Sequence, residues 1–229
     1  SSELTKLAAN ACLAMRISFI NEIANFAEIS GADIDEVREG IGSDKRIGMQ
    51  YLYPGQGYGG SCFPKDLPTL ISQIEKEGLE SWVLRGVYQR NEAQKKVLAE
   101  KVISRFSDLK GKTFALWGTA FKADTDDVRE SPALEAIRII TDKGAKIRAF
   151  DPIAGENTRI ILEGLVSKGV LSIEANQYRV LQDSDGLVIC TEWDQFRSPE
   201  FGIIKKRLKT PIIFDGRNLY KPDAMEAKG

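Results

Sequence analysis

The sequence contains no histidine among its 229 residues. This absence excludes Ser-His and Cys-His nucleophile pairs, and it removes the commonest protein ligand of transition metals. Any chemistry must therefore be performed by other side chains, such as Cys, Lys, Asp, Glu, Asn or Tyr. We expect no metal site.

Cysteine is scarce and neither sign of charge is in excess. The three cysteines lie far apart, at positions 12, 62 and 190, and predict neither a disulfide framework nor a metal motif. Such cysteine usage is typical of a reducing compartment, so we expect a cytoplasmic protein. The 32 basic and 33 acidic residues nearly cancel, and the most apolar stretch, residues 7–15, is too short to cross a bilayer. We therefore expect no nucleic-acid and no membrane partner.

Residues 1–107 predict a helical domain that ends in a long connecting helix. Apolar residues recur at helical spacing from Glu3 to Ser30, on a stripe wide enough to predict burial on most sides. Gly31 is expected to cap this helix, and Asp33 to begin the next. Because residue 1 is not Met and the first helix is already in progress, we expect the chain to be a fragment. The predicted helices are residues 3–30, 33–39, 64–76 and 81–106, with a glycine-rich loop over 40–61.

Residues 108–229 predict a second domain, in which short apolar strands alternate with helices. Such alternation is typical of parallel β-α-β units with right-handed crossovers. The fold class is therefore α/β: a helical domain followed by a Rossmann-like, doubly wound parallel sheet that binds ligands at the carboxyl ends of its strands. The predicted strands are residues 113–117, 146–150, 186–190 and 211–215, and the predicted helices are residues 132–143, 155–168 and 198–208.

The densest signal is the run GYGGSCFPKD at residues 57–66. Its glycines permit positive φ and let backbone N–H groups approach a ligand closely. Cys62 lies just before a helix that is expected to begin at Pro64, so the positive end of the helix dipole favours a thiolate, and Lys65 adds positive charge. A cysteine in a tight turn is also commonly a small buried filler. Local physics alone leaves both interpretations open.

This run resembles the active-site signature of the UDP-glucose/GDP-mannose dehydrogenase family. Residues 3–22 are similar to the start of the family's central helical domain, and residues 118–132 to the entry of its C-terminal sugar-nucleotide domain. TEWD at 191–194 and FDGR at 214–217 match two later signatures. The family begins with a glycine-rich NAD-binding domain, which we expect to be missing from this chain.

The resemblance implies two successive hydride transfers from the C6 carbon of UDP-glucose to NAD, giving UDP-glucuronate. Cys62 would carry the sugar first as a thiohemiacetal and then as a thioester. Lys6 and Asn10, four residues apart on one helix face, are the candidate donors to the developing oxyanion, each worth about 3–4 kcal/mol when well placed. Asp66 is the candidate that orients water. Alternatively, Lys6 reaches solvent and Asp66 simply complements the helix dipole.

The resemblance also implies binding residues and a homodimer formed through the helical domain. Arg46 is similar to a residue that reaches the substrate of the partner subunit, although a solvated loop arginine is an equal explanation. The implied cofactor contacts are Cys62, Lys65 and Arg129. The implied substrate contacts are Lys6, Asn10, Arg46, Tyr53, Tyr58, Gly59, Phe121, Lys122 and Arg217.

Two other functions remain open. The same mechanism would serve a GDP-mannose or UDP-N-acetyl-sugar dehydrogenase, although the two later signatures favour UDP-glucose. The second alternative function is that of a non-catalytic module for nucleotide-sugar binding and dimerisation. Cys12 and Cys190 are expected to fill the core, and Lys95 and Lys96 to lie on a solvated helix face.

Overall fold

The computed structural model describes residues 1–229, which divide into two compact units, Ser1–Lys95 and Lys96–Gly229. The first unit is helical, as predicted. Its second helix continues to Gly42, three residues beyond the predicted end, so the following loop is shorter than expected. The helices are α1 (Ser2–Ser30), α2 (Ile34–Gly42), α3 (Phe63–Lys76) and α4 (Trp82–Phe106). The division between the units falls within α4, whereas the predicted domain boundary at residue 107 follows the end of that helix.

Local sequence explains where these helices begin and end. Gly31 follows α1 with φ 77°, a left-handed conformation that glycine adopts without steric cost. Asp33 caps α2, because its side chain accepts a hydrogen bond of 2.7 Å from the backbone N–H of Asp35. Pro64 lies in the first turn of α3, where its missing N–H has no helical partner to lose.

Helix α1 does not bury most of its surface within the chain, so that prediction is wrong. The exposed large apolar residues fall on one face of the helix and are Leu4, Met15, Phe19, Phe26 and Ile29, exposed at 57, 38, 50, 68 and 85%. Cys12 is also exposed, so its expected role as core filler is wrong as well. A wide apolar stripe shows that a helix has partners on several sides, but it does not show that the same chain supplies them.

The second unit contains a five-stranded parallel sheet in the order β3-β2-β1-β4-β5. This order winds outward in both directions from β1 and β4, so a crevice opens between the carboxyl ends of these two strands. The predicted Rossmann-like fold is confirmed. The strands are β1 (Thr113–Trp117), β2 (Lys146–Phe150), β3 (Leu171–Ile173), β4 (Gly186–Ile189) and β5 (Ile213–Asp215).

The core of this unit lies on the central strands. Trp117 is fully buried, stacks on Phe196 with ring centroids 5.0 Å apart, and donates its indole N–H to the carbonyl of Gln177. The carboxyl-terminal part of α4 packs into the same core through Leu98 and Val102. The remaining helices are α5 (Pro132–Asp142), α6 (Gly155–Ile161), α7 (Glu163–Ser167), α8 (Asp194–Arg197), α9 (Phe201–Arg207) and α10 (Pro222–Glu226).

Several short elements differ from their predictions. The edge strand β3 and the helix α10 were not predicted, because three to five partly exposed residues give no measurable periodicity. The predicted helix 198–208 begins only at Phe201, since Pro199 disfavours helical backbone at the residue before it. Lys95 is buried and pairs with Glu92 at 2.8 Å, so its predicted exposure is wrong, whereas Lys96 is exposed.

None of the helices combines the length and hydropathy that a membrane span requires. No group of three or more Cys, Asp or Glu side chains is arranged to hold a metal ion.

Replacing Ser131 by alanine should destabilise the second unit by about 1–2 kcal/mol. Ser131 is buried, caps α5 by accepting from the N–H of Ala133, and donates its hydroxyl proton to the carbonyl of Thr119 at 2.8 Å. Urea unfolding followed by tryptophan fluorescence measures this loss, because two of the three tryptophans, Trp117 and Trp193, are buried in the second unit. Ser167→Ala, at the exposed end of α7, is the matched control and should change little. Equal effects of both substitutions would contradict the capping role.

Candidate functional site

Cys62 occupies the N-cap position of α3 and is exposed. The N–H groups of Lys65 and Asp66 donate to its carbonyl at 3.1 and 2.8 Å, so its backbone is fixed to the first turn of the helix. Its Sγ lies 3.8 Å from the hydroxyl of Ser61. The structure therefore presents an accessible thiol at the positive end of a 14-residue helix.

A cluster of polar side chains joins α1 to α3 four residues beyond Cys62. Asn10 Nδ2 donates to Asp66 Oδ2 at 2.7 Å, and Lys6 Nζ lies 3.9 Å from the same oxygen. Asp66 is buried, whereas the Lys6 side chain is 69% exposed. The structure thus brings together three of the four predicted catalytic residues, with the fourth one turn away on the same helix.

The glycine-rich loop before Cys62 is buried from residue 56 to residue 60. Gly57 and Gly60 have φ of 90° and 83°, and a Cβ on Gly57 would lie 2.6 Å from Asn91 Oδ1. Asn91 hydrogen-bonds both the N–H and the carbonyl of Tyr58, at 2.8 and 3.2 Å. The sequence analysis missed this amide, because Asn91 lies 33 residues along the chain from Tyr58 and no local pattern relates the two.

The predicted aromatic contacts of this loop have different environments. Tyr58 packs edge-on against Phe63 with centroids 5.6 Å apart, and burial raises the pKa of its phenol. The Tyr58 hydroxyl has no partner in the chain and remains protonated. Tyr53 is exposed, and the guanidinium of Arg38 lies 4.4 Å from the centre of its ring.

Arg46 pairs within its own loop. Its guanidinium lies 2.6 Å from the carboxylate of Asp44, and this hydrogen bond raises the pKa of Arg46 and lowers that of Asp44. The Arg46 side chain is 89% exposed. The structure therefore leaves Arg46 on the surface and does not place it in the cluster around Asp66.

In the second unit, the loops that follow β1 and β4 meet at the crevice of the sheet. Gly118 has φ 85°, and a Cβ there would lie 2.4 Å from Cβ of Thr191. Thr191 donates its hydroxyl proton to the carbonyl of Ala120 at 2.7 Å. Only glycine allows this approach, so the residue after β1 is dictated by contact with the β4 loop.

Arg217 ties three loops together at this edge. Its guanidinium donates to the carbonyls of Cys190 and Phe121, at 2.9 and 2.8 Å, and lies 3.0 Å from the carboxylate of Glu192. Lys122 is exposed, with Nζ 5.6 Å from the ring of Phe121. The predicted residues Phe121, Lys122 and Arg217 therefore come together, and Arg217 also fixes the loop that carries the other two.

Two carboxylates that the sequence analysis did not single out order this edge: Asp215 is half-buried and Asp151 is buried. Burial raises the pKa of Asp215, although backbone N–H groups, including that of Arg217, oppose the shift. Asp151 directly follows β2, where a dinucleotide-binding fold places the acid that binds a ribose. Here its two oxygens accept hydrogen bonds from the chain itself, from the N–H groups of Thr119, Ala120, Ile153 and Ala154 and the indole of Trp193. With a single glycine in the first turn, this sheet does not offer a dinucleotide cradle.

The two predicted cofactor contacts outside the cysteine are surface cations. Lys65 is exposed in the first turn of α3. Arg129 lies 2.7 Å from the carboxylate of Asp127, and this pairing lowers the pKa of Asp127.

The structure also contains two cavities. One, of about 600 Å³, is lined by residues of α3 and α4 such as Glu75 and Arg85. The other, of about 520 Å³, lies beside β5, α9 and α10. Neither is lined by Cys62 or Arg217, so the chemistry of the side chains, and not cavity size, identifies the candidate site.

Comparison with protein families matches both units. Residues 1–93 match the central domain of the UDP-glucose/GDP-mannose dehydrogenase family, and residues 115–222 match the UDP binding domain of the same family.

Relatives and solved structures agree with these matches. The chain is 44% identical over 229 residues to a UDP-glucose 6-dehydrogenase of Pseudomonas aeruginosa, a match that covers 100% of this chain and 51% of that protein. It is 40% identical to UDP-glucose 6-dehydrogenase TuaD of Bacillus subtilis, a match that covers 100% of this chain and 49% of that protein. A UDP-glucose dehydrogenase structure from Pyrobaculum islandicum superposes with a TM-score of 0.86 at 34% identity, covering 97% of this chain and 48% of that one. The chain thus spans about half the length of the curated relatives it matches. It belongs to the UDP-glucose/GDP-mannose dehydrogenase family, whose central and UDP binding domains it contains.

Proposed function

We propose that this chain is the cysteine-bearing and UDP-sugar-binding part of an NAD-dependent dehydrogenase that oxidises UDP-glucose to UDP-glucuronate. The observation that carries this proposal is the placement of Cys62. It is an exposed thiol at the N-terminus of α3, one turn before a buried carboxylate that contacts Lys6 and Asn10. Relatives that are named UDP-glucose 6-dehydrogenase support the choice of substrate.

The proposed reaction removes four electrons from the sugar C6 carbon. The alcohol loses a hydride and a proton to become an aldehyde, and the Cys62 thiolate adds to the aldehyde carbon to give a thiohemiacetal. Loss of a second hydride and proton gives a thioester, which water cleaves to the carboxylate with release of the Cys62 thiol. NAD, when bound, accepts the hydride in each oxidation.

Lys6, Asn10 and Asp66 share the remaining tasks. One hydrogen of Asn10 Nδ2 is held by Asp66, and this contact aims the second hydrogen for donation to a substrate oxygen. The Lys6 ammonium adds positive charge where negative charge develops on that oxygen, and such preorganised donors act most strongly in the transition state. Asp66 uses Oδ2 for these contacts, which leaves Oδ1 to accept a hydrogen bond from the hydrolytic water.

We assign nucleotide binding to the edge of the sheet in the second unit. Lys122 and Arg217 supply the positive charge that a diphosphate requires. Phe121, in the loop after β1, contacts both of them: its ring lies 5.6 Å from Lys122 Nζ, and its carbonyl accepts a hydrogen bond from Arg217. In the first unit, Tyr53, Tyr58 and Gly59 are the proposed contacts to the sugar and its phosphates. Lys65 and Arg129 are the proposed contacts to NAD.

A second copy of the chain is the proposed partner of the exposed face of α1. Large apolar side chains on one face of a 29-residue helix form a patch that soluble monomers rarely expose. A homodimer through this face would bury them. Arg46, free on the surface apart from its pair with Asp44, is then the proposed contact to the substrate of the partner subunit.

A UDP-N-acetyl sugar is the second candidate substrate. A UDP-D-ManNAc dehydrogenase structure from Pyrococcus horikoshii superposes with a TM-score of 0.79 at 27% identity, covering 95% of this chain and 48% of that one. The side chains described above do not discriminate among sugars, so a comparison of UDP-glucose, UDP-N-acetylmannosamine and GDP-mannose as substrates decides between the candidates. The chain would instead be a non-catalytic binding module if it binds UDP while the full-length protein oxidises none of these three sugar nucleotides.

Replacing Cys62 by serine in the full-length protein should lower conversion of UDP-glucose to UDP-glucuronate by at least ~10³-fold, because the covalent nucleophile is lost. The absorbance of NADH and the amount of uronate formed measure the rate. Cys12→Ser, which removes the other exposed thiol, is the control and should retain the activity. Undiminished conversion by the Cys62 variant would remove Cys62 from the mechanism.

Lys122→Ala should weaken the binding of UDP by roughly 10-fold or more, since it removes a cation proposed to contact the diphosphate. Isothermal calorimetry of this chain with UDP and with GDP measures the effect. UDP should bind more tightly than GDP, and Lys168→Ala, an exposed lysine after α7, should bind UDP like the wild type. Tighter binding of GDP would contradict the assigned nucleotide.

Phe19→Asp with Phe26→Asp should convert a dimer to monomers, because two charges cannot be buried unpaired in an apolar interface. Light scattering coupled to size-exclusion chromatography gives the mass. Ile160→Asp, which alters an exposed apolar residue of α6 instead, is the control. An unchanged mass for the double variant would show that α1 does not form the interface.

A further inference from the structure

The loop that leads to Cys62 is bonded to the surrounding helices by side-chain amides. At Gly55, Gln94 Nε2 donates to the carbonyl at 2.7 Å, while the Gly55 N–H donates to Asn21 Oδ1 at 2.7 Å. At Tyr58, both backbone groups bond to the single amide of Asn91. Two residues three apart in the chain therefore have all four of their backbone polar groups paired with side chains of α1 and α4.

Amides suit these positions because each can donate and accept at the same time. The Asn91 side chain pairs with Tyr58 as the backbone of a neighbouring strand would. A carboxylate in its place would accept from the N–H but could not donate to the carbonyl, and an aliphatic side chain would leave both buried groups without a partner. The loop has no strand or helix of its own that could supply these bonds.

The orientation of Gln94 is fixed by further contacts. Its Oε1 accepts hydrogen bonds from Asn25 Nδ2 at 2.9 Å and from Arg90 Nη2 at 3.1 Å, so its Nε2 must face Gly55. Asn91 and Gln94 are only 2% and 4% exposed. Water therefore cannot readily replace either amide, and the loop has a single arrangement of hydrogen bonds available.

The distance along the chain from this loop to the thiol is short. Tyr58 is four residues before Cys62, and Gly57 approaches Asn91 so closely that a Cβ there would overlap its amide oxygen. A shift of the loop would move the backbone that enters α3. Displacements of about 1 Å at a reacting group can cost 10²-fold in rate.

We propose that Asn91 and Gln94 of α4 are positioning residues, which hold the backbone of residues 55–58 so that Cys62 and the loop N–H groups keep their reactive geometry. This inference rests on the proposed function and deepens it. Neither amide touches the thiol, so each acts through the loop. They should therefore affect the rate of the chemical step more than the binding of the nucleotide.

The test uses the full-length protein with Asn91→Leu, which removes both bonds to Tyr58 without adding a charge, and with Gln94→Leu. Both variants should lower kcat by roughly 10- to 100-fold with UDP-glucose while the affinity for UDP stays within about 2-fold of the wild type. Gln89→Leu, which removes an exposed amide from the same helix, is the matched control and should keep the wild-type kcat.

Two readouts are independent of turnover. Hydrogen exchange of the Tyr58 amide should become faster in both variants than in the wild type, and the rate at which iodoacetamide alkylates Cys62 should change. Wild-type kcat, exchange and alkylation in the variants would overturn the inference. A loss of UDP affinity equal to the loss of kcat would also overturn it, because the amides would then support the fold generally. If the wild-type protein oxidises no sugar nucleotide, the proposed function fails, whereas exchange and alkylation still decide the role of the amides.

Discussion

Buried peptide groups need hydrogen-bond partners, and this constraint governs both candidate sites. The loop before Cys62 is buried from residue 56 to residue 60 but belongs to no helix or strand. An unpaired buried N–H or carbonyl costs about 1–3 kcal/mol, so the loop is stable only because side chains of neighbouring helices complete its bonds. Its glycines allow the backbone to approach those side chains. The amide of Asn91 and the Cβ-free position of Gly57 are therefore two parts of one contact.

The same constraint shapes the edge of the sheet by different means. In the second unit the partners are charged: Asp151 accepts hydrogen bonds from the loop after β1, and Arg217 donates to the carbonyls of the loops after β1 and β4. Charged hydrogen bonds are roughly twice as strong as neutral ones. This edge is thereby ordered before a ligand binds. The acid that other Rossmann-like folds turn toward a ribose is used here to order the loop after β1.

Helix α1 serves three surfaces at once. One side packs in the helical core, one carries Lys6 and Asn10 to the carboxylate of Asp66, and one exposes apolar residues such as Phe19 and Phe26. This division explains why the helix has apolar residues over most of its circumference. The amide of Asn10 is stable on this helix because it donates a hydrogen bond to the buried carboxylate of Asp66 on α3, and that carboxylate in turn gains a partner.

The sequence by itself determined the features that depend on neighbouring residues. Helix ends at Gly31 and Ser131, the alternation of strands and helices, and the run around Cys62 are local, because φ preferences, caps and periodicity act over a few residues. Only the tertiary structure decided which sides of α1 are covered, that Lys95 is buried, and that Asn91 supports the glycine-rich loop. These features depend on contacts between residues far apart in the chain, and no local pattern records what lies opposite a side chain.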